Sequence, residues 1–241
     1  MGKLYIVGTG NGNYDDLSFR TIKVLDSVDL IYCDEKLYRN FSNIYAEEKL
    51  IGNRYSETSV RCNNAIKSSL AGKNVAILGS GDTGIYGIAS IILEQVSNNQ
   101  NKIEVKILPG ITYAISGAAL LGAPLTQDFA VVTLSDNLAD ENKLIKKLEN
   151  LAISDLSIFF YSVCNPTLDN LKEARKILLK YRSPKTPVGI VSAIGCQEQE
   201  VILSNFQDLP FDKINSYSTL FVGNEKTKIL NKRLMVTPLL W

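Results

Sequence analysis

Short apolar runs alternate with segments of helical spacing along most of this chain, and this alternation restricts its fold more than any other feature. Strands that alternate with helices form βα units, which assemble into a largely parallel sheet covered by helices. In the first half, the pattern predicts strands at 4–7, 30–33, 74–78 and 103–108, and helices at 17–27, 57–70, 85–96 and 112–121. The sequence therefore predicts an α/β domain in this half.

A break after the fourth of these helices divides the chain. Pro124 follows Gly122 and Ala123, and proline ends a helix because it lacks a backbone donor and restricts the residue before it. We predict a domain boundary at this point, with an N-terminal α/β domain over 1–121 and a C-terminal α/β domain over 122–241.

The second half continues the alternation but changes towards its end. Strands are predicted at 129–134, 157–161, 188–192, 200–203, 219–222 and 233–236, and helices at 141–151 and 168–181. Because no long helix separates the last three strands, the pattern predicts a mixed second sheet with antiparallel strands at its end.

The composition excludes several kinds of chemistry. The chain has no histidine, which removes Ser-His-Asp and Cys-His nucleophile systems and every histidine-containing zinc motif. Its 26 Lys and Arg residues balance 25 Asp and Glu residues, so the chain lacks the basic character of a general nucleic-acid binder. The four cysteines, Cys33, Cys62, Cys164 and Cys196, form no C-x-x-C pair and are predicted to be reduced and buried. We expect no metal site and no nucleic-acid partner.

The hydropathy pattern predicts a cytoplasmic protein. The apolar stretch near Met1 gives way to glycine and asparagine too early for a signal peptide. No run approaches the roughly 18 apolar residues of a membrane-spanning helix. We therefore expect no association with a membrane.

Three glycine-containing segments each follow a predicted strand of the first domain. They lie at residues 8–13, 79–87 and 109–113. Taken singly, each is more typical of a turn than of a binding site. Open α/β sheets, however, bind ligands at the carboxyl ends of their strands. The three segments together therefore predict a ligand site at that edge.

The first two segments bear on nucleotide binding. Dinucleotide-binding folds carry G-x-G-x-x-G after the first strand, whereas here Asn13 stands in place of the third glycine. Asp34 or Glu35 would suit a ribose, so an NAD-dependent oxidoreductase remains an alternative. The second segment has no lysine in the phosphate-loop pattern, which excludes a nucleotide triphosphate loop.

The same segments carry a family resemblance. Residues 8–12, 81–87, 109–112 and 122–125 resemble, in order and spacing, the tetrapyrrole methylases, the S-adenosylmethionine enzymes of cobalamin and sirohaem synthesis. The resemblance covers nearly the whole chain. Finer details are similar to the C-17 methyltransferases that act on precorrin-3B or cobalt-precorrin-3. These details are Glu57, Arg61-Cys62, Leu134-Ser135-Asp136, Asn165-Pro166, and residues 186–191, 222–224 and 235–238.

The resemblance implies a fold, a cofactor and the residues that hold it. It implies two α/β domains with S-adenosylmethionine bound in a cleft between them. At the matching positions, the expected cofactor-binding residues are Gly81, Asp82, Ile85, Tyr86, Thr112, Tyr113, Ala193 and Thr219. Thr112 and Tyr113 would hold the methionine portion, and Ala193 and Thr219 would approach the adenine.

A substrate and a reaction are implied as well. Methylation at C-17 would accompany lactone formation from a peripheral acetate and contraction of the macrocycle. A polar group must handle a proton in that step, and the expected catalytic residues are Ser135, Asp136 and Asn165. The candidates for binding the acetate and propionate groups of the substrate are Lys36, Arg39, Arg54 and Arg61.

The form of the substrate and the oligomeric state are also expectations at this stage. A composition rich in Lys, Asn and Ile is typical of an AT-rich genome, which is common among anaerobes, and the anaerobic route uses cobalt-precorrin-3 in place of the metal-free precorrin-3B. Cobalt would then arrive inside the substrate. The resemblance implies a homodimer, and an apolar tail from Met235 to Trp241 is consistent with a covered surface.

The first glycine motif has Asn11 and Asn13 where the family usually has Pro and Asp, and two further departures bear on activity. The family places tyrosine directly before Asn-Pro, whereas here three residues separate Tyr161 from Asn165. Ser192, Ala193 and Ile194 stand where the family commonly has Arg-Asn-Ala, which removes an arginine that would contact a substrate carboxylate. Another tetrapyrrole methyltransferase of the same pathway and a non-catalytic member of the family therefore remain alternatives.

Overall fold

The computed structural model describes residues 2–98, 103–135, 141–164 and 168–239. The chain divides into two compact units, Met1–Tyr113 and Ala114–Trp241. Each unit has a five-stranded sheet of its own. Every helix in the described ranges is too short or too polar to cross a membrane.

The first unit is built on a fully parallel sheet. Its strands are β1 (Lys3–Gly8), β2 (Leu30–Asp34), β3 (Leu50–Asn53), β4 (Val75–Gly79) and β5 (Glu104–Leu108). The strands lie in the order β3-β2-β4-β1-β5, and every pairing is parallel. All five carboxyl ends therefore lie at one edge of the sheet. The α/β prediction for this half is confirmed.

Helices cover both faces of the parallel sheet. They are α1 (Phe19–Ser27), α2 (Glu35–Phe41), α3 (Thr58–Leu70) and α4 (Ala89–Asn98). One face packs against α3 and α4, and the other packs against α1 and α2. Strand β2 is buried along its whole length, as expected for a parallel strand with helices on both sides.

Short polar side chains fix where two of these helices begin. The Ser18 hydroxyl accepts a hydrogen bond from the Thr21 amide at 3.1 Å. The Asp34 carboxylate accepts one from the Leu37 amide at 3.0 Å. Each bond satisfies an amide of the first helical turn that has no partner within the helix.

The second unit contains the predicted mixed sheet. Its elements are α5 (Tyr113–Leu121), which starts at the division, β6 (Gly122–Ala123), β7 (Phe129–Thr133), α6 (Glu141–Ile153), β8 (Ser157–Tyr161), α7 (Asp169–Leu178), β9 (Pro187–Ser192), β10 (Glu200–Asn205), β11 (Ser218–Val222), β12 (Lys228–Leu230) and β13 (Leu234–Val236). In the main sheet, of order β10-β9-β11-β8-β7, only β7 and β8 are parallel neighbours. Strands β12, β13 and β6 form a small second sheet.

Helix α5 packs within the second unit. A Cβ added at Gly117 would lie 2.7 Å from the Phe221 ring, and one added at Gly189 would lie 2.6 Å from Leu121. Small residues therefore let the helix lie close to β9 and β11. The sequence pattern groups this helix with the first domain, whereas its packing groups it with the second sheet.

Five local features differ from the sequence prediction. Strands β6 and β12 are not predicted, because two and three residues are too few to show a period. Helix α2 and strand β3 are not predicted, because elements of seven and four residues are too short to show a period. Helix α4 begins at Ala89 instead of 85, because the preceding residues form a turn in which Tyr86 has a φ of 50°.

All four cysteines are free thiols, as predicted. Cys33 and Cys62 are buried, whereas Cys164 and Cys196 are only partly buried. Burial, together with the charge of Asp34, raises the pKa of the Cys33 thiol to about 12. Burial also raises the pKa of Cys62. The two buried thiols are therefore protonated at neutral pH and chemically quiet.

Candidate functional site

Three loops of the first unit meet at the carboxyl ends of neighbouring strands. They follow β4, β1 and β5, which lie side by side in the sheet. The Thr9 amide donates to the Gly79 carbonyl at 3.0 Å. Gly10 and Gly81 form a small antiparallel bridge in which each amide donates to the other's carbonyl, at 3.1 and 2.6 Å. The first two loops are thus joined through their main chains.

Glycine is required where the loop after β5 reaches the other two. A Cβ added at Gly110 would lie 2.2 Å from the Gly81 carbonyl oxygen, and one added at Gly8 would lie 2.5 Å from the Gly110 nitrogen. No real Cβ fits at such distances. Gly81 also has a φ of 66°, which favours glycine. The floor of this site is therefore main chain packed on main chain.

Asp82 ties the loop after β4 to the loop after β5. Its Oδ1 accepts a hydrogen bond from the Gly84 amide at 2.8 Å, and its Oδ2 accepts one from the Gly110 amide at 3.1 Å. Both carboxylate oxygens are thereby engaged by the backbone. The Asp82 side chain therefore connects the two loops. In the sequence, only the Pro-Gly pair points to Gly110 as its partner.

The other predicted residues of the first unit lie around the same loops. A Cβ at Gly81 would lie 3.4 Å from the Tyr113 ring and 3.9 Å from the Thr112 Cα. Ile85 and Tyr86 follow in the loop after β4 and are 38% and 49% exposed. The structure thus brings Gly81, Thr112 and Tyr113 together, with exposed apolar side chains nearby in sequence.

In the second unit, Thr219 lies on β11, and Ala193 directly follows the neighbouring strand β9. Val191 of β9 is paired with Thr219 of β11, and the Thr219 hydroxyl donates to the Val191 carbonyl at 3.0 Å. The Ala193 amide donates to the Tyr217 carbonyl at 3.2 Å, and Ala193 has a φ of 49°. A non-glycine residue with positive φ is strained, and such residues concentrate at functional sites. The two residues predicted to approach an adenine therefore lie at the same edge of the second sheet, two register positions apart.

Only one of the three predicted catalytic residues lies in the described part of the chain. Ser135 follows β7 and is buried, and its amide donates to the Thr133 hydroxyl at 3.2 Å. Leu134, which precedes it, makes two further hydrogen bonds. Its amide donates to the Tyr161 carbonyl at 3.0 Å, and its carbonyl accepts from the Asn170 side chain at 2.8 Å. Asp136 and Asn165 lie outside the described residues, so the catalytic set stays a prediction.

The cationic residues predicted to bind carboxylates fall into two groups. Lys36, Arg39 and Arg54 are exposed, near the carboxyl ends of β2 and β3. Arg61 in α3 is buried, with 2% of its surface exposed. Across the residues that the structure describes, no group of three or more Cys, Asp or Glu side chains is arranged to hold a metal ion.

Comparison with known sequences identifies relatives along the full length. The sequence model of the tetrapyrrole (corrin/porphyrin) methylases matches residues 3–210. A probable cobalt-factor III C(17)-methyltransferase of Salmonella typhimurium is 33% identical over 237 residues, covering 98% of each chain. The cobalt-factor III methyltransferase of Priestia megaterium is also 33% identical, over 98% of this chain but only 45% of that longer protein. The chain thus spans less than half the length of the Priestia relative.

Solved structures similar to this chain come from the same group of methyltransferases. The crystal structure of the methyltransferase CobJ matches with a TM-score of 0.87 and 26% identity, covering 99% of this chain and 100% of that one. A uroporphyrin III C-methyltransferase of Thermus thermophilus, solved in complex with S-adenosylhomocysteine, matches with a TM-score of 0.70 and 17% identity over 92% of this chain and 97% of the other. The second likeness shows the shared fold.

Proposed function

Since this chain belongs to the tetrapyrrole (corrin/porphyrin) methylases, we propose that it transfers a methyl group from S-adenosylmethionine to C-17 of a tetrapyrrole in cobalamin synthesis. The observation that carries the proposal is the meeting of three glycine loops at the carboxyl ends of β4, β1 and β5. Membership of a methylase family replaces the oxidoreductase alternative.

The first unit suits the cofactor because its loops offer main-chain groups at the carboxyl edge of the sheet. S-adenosylmethionine presents an ammonium and a carboxylate at one end, and loop amides and carbonyls at the edge of a parallel sheet are suitable partners for both. Gly81 lies beside Tyr113, since a Cβ added at Gly81 would be 3.4 Å from the ring. The Thermus relative binds the demethylated product on the same fold, which supports this assignment.

Methyl transfer fits a chain without histidine. The cofactor supplies a methyl group on a positively charged sulfur. In an in-line displacement the carbon–sulfur bond breaks while a bond to the macrocycle carbon forms, and the sulfur leaves as a neutral thioether. The protein contributes by positioning the two reactants and excluding water, effects that together supply about 7–11 kcal/mol in well-oriented systems. The rigid backbone floor and the Asp82 brace serve this positioning.

A cobalt-containing macrocycle is the proposed substrate. The two relatives at 33% identity both carry names that specify cobalt-factor III, and the Lys-, Asn- and Ile-rich composition favours the same route. Methylation with lactone formation and ring contraction is the proposed outcome. Ser135 is the proposed proton-handling residue among those described, and Asp136 and Asn165 stay predictions alongside it.

The deciding experiment supplies S-adenosylmethionine with either macrocycle under anoxic conditions. Absorbance and product mass report conversion, and calorimetry with S-adenosylhomocysteine reports cofactor binding. We expect binding of S-adenosylhomocysteine and conversion of the cobalt form. Conversion of precorrin-3B alone would contradict the cobalt assignment. Binding without conversion of either form would favour the non-catalytic alternative.

The proposed homodimer draws less support from the tail than the sequence suggests. Met235 is fully buried within its own unit, where β13 pairs with β6, and Thr237 donates a hydrogen bond to the Pro124 carbonyl at 2.7 Å. Only Leu239 is exposed among the apolar tail residues that the structure describes. A dimer and a cytoplasmic location stay predictions. Sedimentation of the purified protein at micromolar concentration tests the dimer.

A further inference from the structure

The turn that joins β3 to α3 presents an arginine and a tyrosine side by side at the carboxyl edge of the first sheet. The turn is a short 3-10 segment, Tyr55–Glu57, that directly follows Arg54. The Tyr55 side chain is 79% exposed, which is unusual for so large an aromatic residue. The Arg54 side chain is exposed, and no described residue forms an ion pair with it. This turn lies on the same edge as the glycine loops.

A buried guanidinium holds the turn in place from beneath. Arg61 donates from Nη1 to the Arg54 carbonyl at 3.3 Å and from Nη2 to the Thr58 hydroxyl at 3.2 Å. It therefore fastens both ends of the turn. The Thr58 hydroxyl in turn donates to the Tyr55 carbonyl at 2.7 Å, and Glu57 accepts from the Arg54 amide at 3.3 Å. The backbone that carries Arg54 and Tyr55 is thus fixed before any ligand arrives.

Comparison with the other buried arginine indicates that Arg61 does more than stabilise the fold. Arg182 donates to three main-chain carbonyls, those of Gly223, Leu151 and Leu156, at 2.9, 2.9 and 2.6 Å. Arg61 makes two longer bonds, and no carboxylate of the described chain pairs with it. Burying a charge for so few partners is costly. A turn that must be held rigid for binding accounts for that cost.

We propose that the turn, residues 54–57, is a substrate-contact element: Arg54 pairs with a peripheral carboxylate of the macrocycle, the Tyr55 ring packs on its face, and Arg61 is a positioning residue for both. The proposal rests on the proposed function, which supplies a large planar polycarboxylate as substrate. Guanidinium groups bind carboxylates in a bidentate manner, and aromatic rings stack on planar ligands. Charge complementarity therefore favours this occupant of the turn.

A nearby groove lacks the charge complementarity to a carboxylate-bearing ligand that the turn has. A cavity of about 440 Å³ lies beside β3 and is lined by Glu35, Tyr38, Arg39, Glu47, Leu50, Ile51 and Gly52. Its two glutamates oppose its one arginine, so charge does not select an anionic ligand there. The Arg54 turn carries the stronger positive character because two arginines, Arg54 and Arg61, outnumber its one glutamate, Glu57.

The test compares two surface variants with two matched controls. We expect Arg54→Gln to raise KM for the tetrapyrrole about tenfold and Tyr55→Leu to raise it about fivefold. Both should leave kcat, the Kd of S-adenosylhomocysteine and Tm unchanged, because only substrate binding is lost. Lys73→Gln and Tyr181→Leu remove an exposed cation and an exposed aromatic away from the carboxyl edges, and should leave KM unchanged.

Arg61→Lys tests the positioning role, since lysine cannot hold both ends of the turn. We expect it to raise KM at least as much as Arg54→Gln does, and the double variant to exceed Arg54→Gln by no more than the fivefold assigned to Tyr55. If Arg61→Lys does not fold, the two surface variants still decide. KM values within twofold of wild type in both surface variants, with wild type active, would overturn this inference alone. A wild-type protein that neither binds nor converts the tetrapyrrole would overturn the proposed function as well.

Discussion

The two units differ in what they place at the strand ends of their sheets. In the first, all five strands are parallel, and the loops at their carboxyl ends meet through bare backbone at Gly8, Gly81 and Gly110. In the second, β11 runs against its neighbours and brings a strand residue, Thr219, to the edge where β9 ends. A fully parallel sheet can place only loops at its carboxyl edge, whereas a mixed sheet also places the start of a strand there.

This difference extends to how each unit is held together. Contacts in the first site leave no room for a Cβ, so the site depends on residues having no side chain. The second unit depends on side chains that satisfy buried backbone groups, above all Arg182 with its three carbonyl partners. Burial lowers the pKa of the Arg182 guanidinium, an effect that the nearby Asp155 charge partly offsets. Substitutions should therefore damage the two units in different ways.

The largest expected effect follows from adding one methyl group to the first site. Gly110→Ala places a Cβ 2.2 Å from the Gly81 carbonyl oxygen, and the loops must separate to admit it. We expect loss of measurable S-adenosylhomocysteine binding and about 2–3 kcal/mol of destabilisation. Calorimetry and urea unfolding measure both quantities. The matched control is Gly72→Ala, where a Cβ meets nothing within 4 Å but φ is 95°, so about 1 kcal/mol of strain and unchanged binding are expected.

A second variant tests the side-chain support of the other unit. Arg182→Met leaves three main-chain carbonyls without their donor, which should cost about 3 kcal/mol. Below the unfolding transition, the affinity for S-adenosylhomocysteine should remain that of wild type. Lys180→Met is the control, because Lys180 makes only a partly exposed ion pair with Glu149 and should change stability by less than about 1 kcal/mol. Equal losses in the two variants would contradict the role assigned to Arg182.

Asp82→Asn gives a smaller effect that separates bracing from charge in the first site. An amide can accept from only one of the two glycine amides that the carboxylate accepts from, so one bond is lost. We expect the affinity for S-adenosylhomocysteine to fall about tenfold with little change in Tm. Asp212→Asn, an exposed site in the second unit, is the control. Unchanged affinity in Asp82→Asn would mean that the two loops do not need the brace.

The smallest expected effect concerns pH. The folded state raises the pKa of Cys33 from 9.0 to about 12, so the thiolate forms first in the unfolded chain. The contribution of the protonated thiol to the free energy of unfolding is complete below pH 9. It is lost as pH rises from 9 towards 12, by about 1 kcal/mol between pH 9 and pH 10. Unfolding titrations of wild type and Cys33→Ala at pH 8 to 10 measure this. A variant with the same alkaline slope as wild type would contradict the assignment.

Much of the fold follows from the sequence because hydrophobic periodicity reports on burial directly. The long elements and the mixed second sheet are of this kind. Helix α2 and strand β3 cannot be predicted in this way because they are too short to show a hydrophobic period. The start of α4 is predicted too early because residues 85–88 are part of an apolar stretch with helical spacing, and the sequence does not show the positive φ of Tyr86.

The site is less predictable than the fold. Glycine segments at strand ends locate the first site, but nothing in the local sequence shows that Asp82 binds the amide of Gly110, a residue far along the chain. In the same way, the buried position of Arg61 depends on tertiary packing, which a charged residue in a polar segment does not reveal. Contacts between residues distant in sequence are therefore where sequence reasoning ends.

The bridge between Gly10 and Gly81 has a consequence for the order of folding. These residues are far apart in sequence, and they lie on the loops that follow the paired strands β1 and β4, with β2, β3 and α3 between them in the chain. Such non-local closure is slow because chain entropy must be lost before the contact forms. A ligand that binds only the native state, in which these loops are closed, raises the free energy of unfolding by RT ln(1 + [L]/Kd). Under the proposed function, the cellular concentration of the cofactor therefore also sets the free energy of unfolding of this protein.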